Sequence, residues 1–221
     1  MNIPADIHTH RLPALPGEAI VNSYPETFAP VPGGWYSVGV HPWYITPETD
    51  TPPFVTPELA SRLQSLSALA RHPQVVAIGE AGLDKLASAP MSLQQQGFGY
   101  HVLLAMELRK PLIIHQVRSA DSLLKTKKIL SPANPWIIHG FRGKAPLAQQ
   151  FLRHGCYLSF GAKYSDDALR SVPLDRLFLE TDDSPRSICE LYERAAQVRG
   201  ISPDSLRRIV EENVADVFFK R

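Results

Sequence analysis

The sequence predicts an α/β protein of the (β/α)8 TIM-type barrel class, and three observations support that prediction. Eight short apolar segments alternate with longer segments of helical periodicity. Several of the short segments are continuously apolar, as expected of parallel strands that are covered on both faces. Five of the eight histidines follow the ends of these segments, where barrel enzymes carry their chemistry.

The predicted strands are Ile3–Ile7, Ala19–Val21, Trp35–Val40, Val75–Ile78, Leu112–Ile114, Trp136–Ile138, Cys156–Phe160 and Leu177–Leu179. Residues 11–18 and 22–34 contain many prolines and no helical pattern. We therefore expect the first two crossovers to be loops, which would make a trimmed barrel. An open doubly wound sheet is the alternative, but no glycine-rich phosphate loop follows the first strand.

Helical periodicity accounts for the remaining connections. Leu59, Leu63, Leu66 and Ala70 lie on one face of a helix that should end near His72. Ser202 followed by Pro203 is a typical helix start for the last helix. Further helices are predicted over 92–110, 119–130, 144–154, 166–171 and 187–199.

Composition narrows the class of protein. The chain has 221 residues, which we interpret as one domain over 1–221, and a net charge of +1. That charge gives no strong electrostatic case for a membrane or for extended duplex DNA.

Two cysteines, Cys156 and Cys189, exclude a disulfide scaffold and a multi-cysteine zinc site, and we expect both to be buried. With no membrane span and no visible signal peptide, a cytoplasmic protein is expected, and no obligate protein partner is inferred.

A metal site is the strongest chemical hypothesis. His8 and His10 are two residues apart on a predicted strand, so their side chains point to the same side. The pair alone is a weak signal. Four further imidazole or carboxylate groups at strand ends strengthen it, because all six converge only if the strands surround one axis. These four are Glu80, His115, His139 and Asp182. In contrast, His72, His101 and His154 lie in predicted helices and are expected at surfaces or helix ends.

Nearly the whole chain resembles the TatD family of metal-dependent hydrolases, within the wider amidohydrolase-like barrels. The resemblance rests on DIHTH at the start, GVHPW at 39–43, AIGEAGLD at 77–84, PLIIHQVRSA at 111–120, IIHGFRG at 137–143, GCYLSFG at 155–161 and LFLETDD at 177–183.

The resemblance implies two divalent metal ions, with zinc, manganese and magnesium all open. His8 and His10 match the ligands of one ion, and His115 and His139 match ligands of the second. Glu80 matches the carboxylate that bridges the two ions. Asp182 matches an aspartate that binds metal and can accept a proton from the attacking water. The implied activity is phosphodiester hydrolysis by a metal-activated water, as in a deoxyribonuclease, with DNA or a short nucleic-acid fragment as substrate.

Three places depart from the family pattern. Arg118 lies one position later than the family arginine, Arg142 stands where a small hydroxyl residue is usual, and Asp183 adds an acidic side chain. Arg142, Arg118 and His41 are the candidate substrate contacts, each with a structural alternative. For His41 the alternative is to support a metal ligand through a hydrogen bond.

Other side chains beside the site are interpreted as supporting groups. Asp84 is expected to hold a neighbouring group or loop rather than a metal. Trp43 and Tyr44 can stack on a base, but lid packing is the favoured interpretation. Two alternative functions stay open: hydrolysis of a small ester, amide or phosphomonoester by the same metals, and a non-catalytic metal-binding interaction module.

Overall fold

The computed structural model describes residues 3–46 and 55–220. Within those residues it has eight strands and seven α-helices. The strands are β1 (Asp6–Thr9), β2 (Ala19–Ser23), β3 (Trp35–Val38), β4 (Val75–Asp84), β5 (Leu112–Val117), β6 (Trp136–Ile138), β7 (Tyr157–Phe160) and β8 (Leu177–Leu179). The helices are α1 (Pro57–Leu69), α2 (Met91–Leu108), α3 (Ala120–Leu130), α4 (Ala145–Arg153), α5 (Asp166–Ser171), α6 (Ile188–Arg199) and α7 (Pro203–Val214).

The strand order follows the chain from β1 to β8, and the recorded pairings are parallel. Thr9 of β1 also forms a parallel bridge with Asp182, just beyond β8. This topology is that of the (β/α)8 class, so the prediction of fold is confirmed and an open doubly wound sheet is excluded. Residues 11–18 and 22–34 contain no helix, as expected for trimmed crossovers.

Four strands, β1, β2, β4 and β5, extend further along the chain than the apolar segments indicated. β4 continues to Asp84 and β5 to Val117, so Glu80 and His115 lie within strands and not after them. The two strands pair closely here, with Gly82 opposite His115. A Cβ atom at Gly82 would lie 1.9 Å from the carbonyl oxygen of His115, so only glycine permits this approach.

The chain divides into two compact units. The first unit comprises Met1–Val21, Val31–Trp35 and Pro135–Arg221, and the second comprises Asn22–Pro30 and Tyr36–Asn134. The prediction of a single domain over 1–221 stays a prediction. Large fully buried side chains of the first unit are Ile7, Ile20, Trp136, Phe151, Phe160 and Phe178, and those of the second include Tyr36, Leu59, Leu66, Ile78, Leu83 and Phe98.

Helix ends follow the local signals. Thr56, Ser187 and Ser202 each cap a helix by accepting a hydrogen bond from a backbone N–H in the first turn. At Ser187 the cap is reciprocal, because Glu190 accepts from the Ser187 N–H. The predicted start of the last helix at Ser202 is therefore confirmed. The residues that predicted the buried face of α1, among them Leu59 and Leu63, are buried.

Two predictions of burial are wrong. Cys189 is exposed on α6, because it lies in the first turn of that helix beside a surface groove, whereas Cys156 is buried as expected. His101 is 1% exposed in the middle of α2 instead of lying at a surface or helix end.

Among the described residues, no helix is both long and apolar enough to cross a membrane.

Candidate metal-binding site

The first unit brings five imidazole and carboxylate side chains together, and we call them the first cluster. Its two groups of potential ligand atoms share Asp182, and within each group these atoms lie within 4.8 Å of one another. Nε2 of His10 is 3.5 Å, and Nε2 of His8 is 4.0 Å, from Oδ1 of Asp182. The first cluster consists of His8, His10, His139, Glu180 and Asp182.

Backbone contacts place Asp182 beside the two histidines of β1. The Asp182 N–H donates to the carbonyl oxygen of His8 at 2.9 Å. Asp182 adopts a left-handed backbone conformation, with φ of 52°. Aspartate tolerates this region better than most side chains, because its short polar group can interact locally. The turn after β8 therefore directs this carboxylate toward His8 and His10.

Asp6 ties the ends of β1 and β8 together. Its carboxylate is buried and accepts from the Thr181 N–H at 3.0 Å, from the Thr181 hydroxyl at 2.7 Å and from the His8 N–H at 3.3 Å. Burial raises the pKa of Asp6 to about 6, although the hydrogen bonds from Thr181 oppose the shift. Asp6 thus holds the backbone of His8 and the residue before Asp182 through one group.

His139 is oriented by a carboxylate that is completely buried. Nδ1 of His139 lies 3.2 Å from Oε1 of Glu180, which also accepts from the Gly140 N–H at 2.6 Å. Burial alone would raise the pKa of Glu180, but the interactions with His139 and His8 outweigh it and leave the pKa below its ordinary value. A carboxylate that engages Nδ1 and leaves Nε2 as the metal-ligating atom is an arrangement common among metal-ligating histidines.

The second unit holds a second cluster, made of His41, Glu80, Asp84 and His115. Nδ1 of His115 lies 2.9 Å and Nε2 of His41 lies 3.2 Å from Oε1 of Glu80. Nε2 of His115 lies 3.0 Å from Oδ2 of Asp84. Glu80 is only 3% exposed, and its N–H donates to the side-chain oxygen of Asn22 at 2.8 Å. Two of the predicted ligands, Glu80 and His115, therefore meet directly.

The hydrogen bonds of His41 indicate that it supports Glu80. Its Nδ1 accepts from the Trp43 N–H at 3.1 Å, which places the ring proton of the neutral imidazole on Nε2. That proton faces Glu80. His101 fixes the preceding residue, because its Nε2 accepts from the Val40 N–H at 2.9 Å. This geometry favours the interpretation of His41 as a residue that positions a ligand.

Asp84 collects three hydrogen bonds. It accepts from the Trp43 indole N–H at 2.6 Å, from His115 at 3.0 Å and from the Leu86 N–H at 2.7 Å. Burial would raise the pKa of Asp84, but the hydrogen bonds from His115, Leu86 and Trp43 lower it below its ordinary value. These contacts favour the interpretation of Asp84 as a group that orients His115 and anchors the loop after β4.

Trp43 presents most of its ring to solvent, because the side chain is 62% exposed and is anchored through the indole N–H. Its neighbour Tyr44 is 49% exposed and contacts the ring of Tyr24 edge-on. Close packing under a lid, the favoured expectation for both, does not describe Trp43.

The candidate substrate contacts have different positions. Nη2 of Arg142 lies 3.9 Å from Oδ2 of Asp182, and its side chain is 63% exposed. Arg142 therefore lies at the edge of the first cluster. Arg118 follows β5 with φ of 51° and is exposed, and no described contact joins it to the second cluster. Asp183 is exposed to solvent.

Sequence reasoning did not single out Glu180 or Asp6. A signal for Glu180 was present, because Glu180 and Asp182 are two residues apart after β8, the same spacing as His8 and His10. Asp6 carried no comparable signal, since a carboxylate at the start of a strand is ordinarily solvated.

The donor set of both clusters fits a divalent cation. Imidazole nitrogen and carboxylate oxygen are the ligands of zinc, manganese and related ions. The supporting hydrogen bonds from Glu180 to His139 and from Asp84 to His115 are of the kind that orients metal ligands. The fold and these clusters together define a metal-dependent hydrolase built on a (β/α)8 scaffold.

The chain belongs to the TatD related DNase family, whose model matches residues 26–219. A relative of similar sequence is the uncharacterized metal-dependent hydrolase YcfH of Escherichia coli strain K12, which is 30% identical and aligns over 83% of this chain and 73% of the relative. The 3'-5' ssDNA/RNA exonuclease TatD of Cronobacter sakazakii is also 30% identical, over 85% of this chain and 78% of that protein.

A solved structure supports the same fold. The crystal structure of YJJV, a TatD homologue from Escherichia coli K12, has a TM-score of 0.80 and 22% sequence identity. The match covers 100% of this chain and 99% of that chain. The human 3'-5' RNA nuclease TATDN2 is 30% identical over 71% of this chain, which corresponds to 22% of that longer protein.

Proposed function

We propose that this protein is a divalent-metal-dependent phosphodiesterase that cleaves single-stranded DNA from an end of the strand. The observation that carries the proposal is the first cluster, in which two imidazoles and a carboxylate lie within 4.8 Å of one another. Two relatives of this chain, from Cronobacter sakazakii and human, are named 3'-5' nucleases. The near-neutral charge of the chain suits a short single strand better than extended duplex DNA.

The proposed roles follow the predicted ligands. His8, His10 and Asp182 would hold one divalent ion, and His115 and His139 would hold a second, with Glu80 bridging as the family resemblance implies. Bound cations of this kind supply a water of lowered pKa and neutralise charge on phosphate oxygens. The number and the identity of the ions, with zinc, manganese or magnesium as candidates, are part of the proposal.

Side chains of this protein would accept the proton of the attacking water and bind the phosphate of the substrate. Asp182 accepts the proton of the attacking water, and its backbone N–H bond to His8 keeps the carboxylate in place during that transfer. The guanidinium of Arg142 binds a non-bridging phosphate oxygen through its planar donors. His41 holds Glu80 through Nε2. Arg118, exposed at the end of β5, remains a weaker candidate for a substrate contact.

Hydrolysis of an end-labelled single-stranded oligonucleotide tests this function. The protein is first stripped with a chelator, and magnesium, manganese and zinc are then added back separately. We expect cleavage that depends on the added metal and is lost in Asp182→Asn, with a product ladder that distinguishes attack at an end from internal attack.

Two outcomes would overturn the proposal. If the folded, metal-loaded protein hydrolysed chromogenic esters or phosphomonoesters but no oligonucleotide, it would be a hydrolase of small molecules. If it bound metal tightly and turned over no substrate of either kind, a metal-binding interaction module would replace the enzyme.

A further inference from the structure

A basic groove of about 670 Å³ lies between the loops that follow β6 and β7 in the first unit. Its lining includes Arg142 and Lys144, which precede α4, and Lys163 and Tyr164, which precede α5. Loops after the strands of a (β/α)8 fold are where such proteins build binding sites. We call these four residues the basic groove.

The groove concentrates positive charge in a chain whose net charge is only +1. Three cationic side chains line it, and Lys144 and Lys163 are both exposed. Asp167 is the single acidic residue in its lining, and Oδ1 of that residue already accepts from Nη1 of Arg170 at 3.1 Å. α4 begins beside Lys144 without a side-chain cap, so the positive end of its dipole adds to the charge. The groove therefore suits an anion.

Tyr164 forms part of the wall of the groove. Its hydroxyl oxygen is shielded from solvent and has no hydrogen-bond partner among the described residues. The ring packs edge-on against Phe160 at 5.6 Å, which fixes its position. Tyr164 therefore contributes a fixed ring to the wall of the groove, and the charge of the groove comes from its three cationic side chains.

Arg142 connects the groove with the first cluster. It lines the groove, and its Nη2 lies 3.9 Å from Oδ2 of Asp182. A ligand with two or more linked anionic groups can therefore place one of them in the groove and another beside Arg142 at the edge of the first cluster. A polynucleotide has that chemistry, because its phosphates repeat along one backbone.

We propose that the basic groove binds the backbone phosphates of the substrate strand next to the phosphodiester that is cleaved. This inference rests on the proposed function, and it adds Lys144 and Lys163 as residues that select a strand of several nucleotides over a dinucleotide. Arg142 is the residue shared by the groove and the reacting phosphate.

A length series of oligonucleotides tests the groove. For the metal-loaded wild-type protein, we expect kcat/KM to rise from a dinucleotide to a hexanucleotide as further phosphates enter the groove. The measured ratio is kcat/KM for the hexanucleotide divided by kcat/KM for the dinucleotide. In the double variant Lys144→Ala, Lys163→Ala this ratio should fall by about 5-fold or more. Tyr164→Phe keeps the ring and loses only a shielded hydroxyl, so it should leave the ratio unchanged. Lys128→Ala, which removes one positive charge on the exposed side of α3, serves as the control for the loss of a cation outside the groove.

A binding measurement separates this inference from the proposed function. Fluorescence anisotropy of a labelled hexanucleotide is measured with chelator-stripped protein over a range of salt concentrations. Each cation that contacts a phosphate contributes about 0.7 to the slope of log affinity against log salt for a single strand. We expect the double variant to lose about 1.4 of that slope and Lys128→Ala to lose none.

The outcomes are distinct. Binding that is equal in wild type, double variant and Lys128→Ala, with equal thermal stability, overturns the groove even if the wild-type enzyme cleaves DNA. Binding that depends on Lys144 and Lys163 supports the groove even if no metal restores cleavage, and in that case the proposed function fails alone. Charge reversal in Lys163→Glu should weaken binding further than Lys163→Ala, and a failure to do so also counts against the groove.

Discussion

Nδ1 of His139 lies 3.2 Å from Oε1 of Glu180, a carboxylate with no exposed surface that also accepts the Gly140 N–H. The contact selects the tautomer and the orientation of His139 before any metal binds. Burying a carboxylate costs free energy unless the carboxylate is hydrogen-bonded. The contact with Glu180 therefore holds the imidazole ring of His139 in one position.

Replacing Glu180 with Gln should weaken metal binding at the first cluster. The amide keeps the size of the side chain but loses the charge that orients His139, and such supporting groups typically contribute 10- to 100-fold to metal affinity. Isothermal titration of stripped protein with zinc would measure the change. Glu193→Gln, on the exposed side of α6, is the control, and equal affinities for both variants would exclude the orienting role.

Asp182→Asn should reduce hydrolysis by about 100-fold or more while leaving the fold intact. Asparagine tolerates the left-handed conformation of this residue, with φ of 52°, so the backbone bond to His8 is kept. The variant loses the proton acceptor, which in general acid–base catalysis contributes about 10²–10⁴-fold. Turnover by a folded variant at the wild-type rate would remove Asp182 from the mechanism.

Arg142→Ala should raise KM for phosphodiester substrates with a smaller effect on kcat. The guanidinium is 63% exposed, so its loss should cost little stability. Steady-state kinetics on an oligonucleotide would measure the split, with Arg153→Ala at the far end of α4 as the matched cationic control. Kinetics identical to the wild type would leave Arg142 as a solvated loop residue.

The buried His101 predicts a pH-dependent loss of stability. Burial lowers its pKa to about 4 from an ordinary 6.5, so the folded protein binds this proton less readily than the unfolded chain. The free energy of unfolding should therefore be unaffected by this group above pH 6.5. It should decrease as the pH falls toward 4, by about 3 kcal/mol in total.

Comparison with His101→Gln isolates this effect, because glutamine does not titrate in this range and other buried acids, such as Asp6, contribute equally to both proteins. Urea unfolding between pH 7 and pH 4.5 should show the free energy of unfolding of the wild type falling relative to the variant. Parallel curves for the two proteins would mean that His101 does not titrate between these limits.

Two variants of Trp43 separate its ring from its N–H group. Trp43→Phe removes the hydrogen bond to Asp84 but keeps an exposed ring, whereas Trp43→Ala removes both. If the ring stacks on a nucleobase, KM for oligonucleotides should rise by about 5-fold or more in Trp43→Ala beyond the change in Trp43→Phe. If Trp43→Ala and Trp43→Phe had equal KM values, the hydrogen bond to Asp84 would be the only contribution of Trp43 to substrate binding.

Much of this molecule follows from local sequence. Apolar segments such as Trp136–Ile138 and Leu177–Leu179 are strands with those same bounds, because a strand covered on both faces needs an unbroken apolar run. The start of α7 at Ser202 follows from a side chain that bonds the first turn. His8, His10 and Asp182 were identifiable because strand ends collect polar groups, and the structure brings these three together.

Local sequence determined the strands, the helix starts and which side chains are candidates for metal ligands. Only the tertiary structure decided that Glu180 orients His139, that His41 faces Glu80 and that His101 is buried against Val40. The physical reason is that these relationships join residues far apart in the chain, and periodicity reports the side to which a group points but not the partner it meets there.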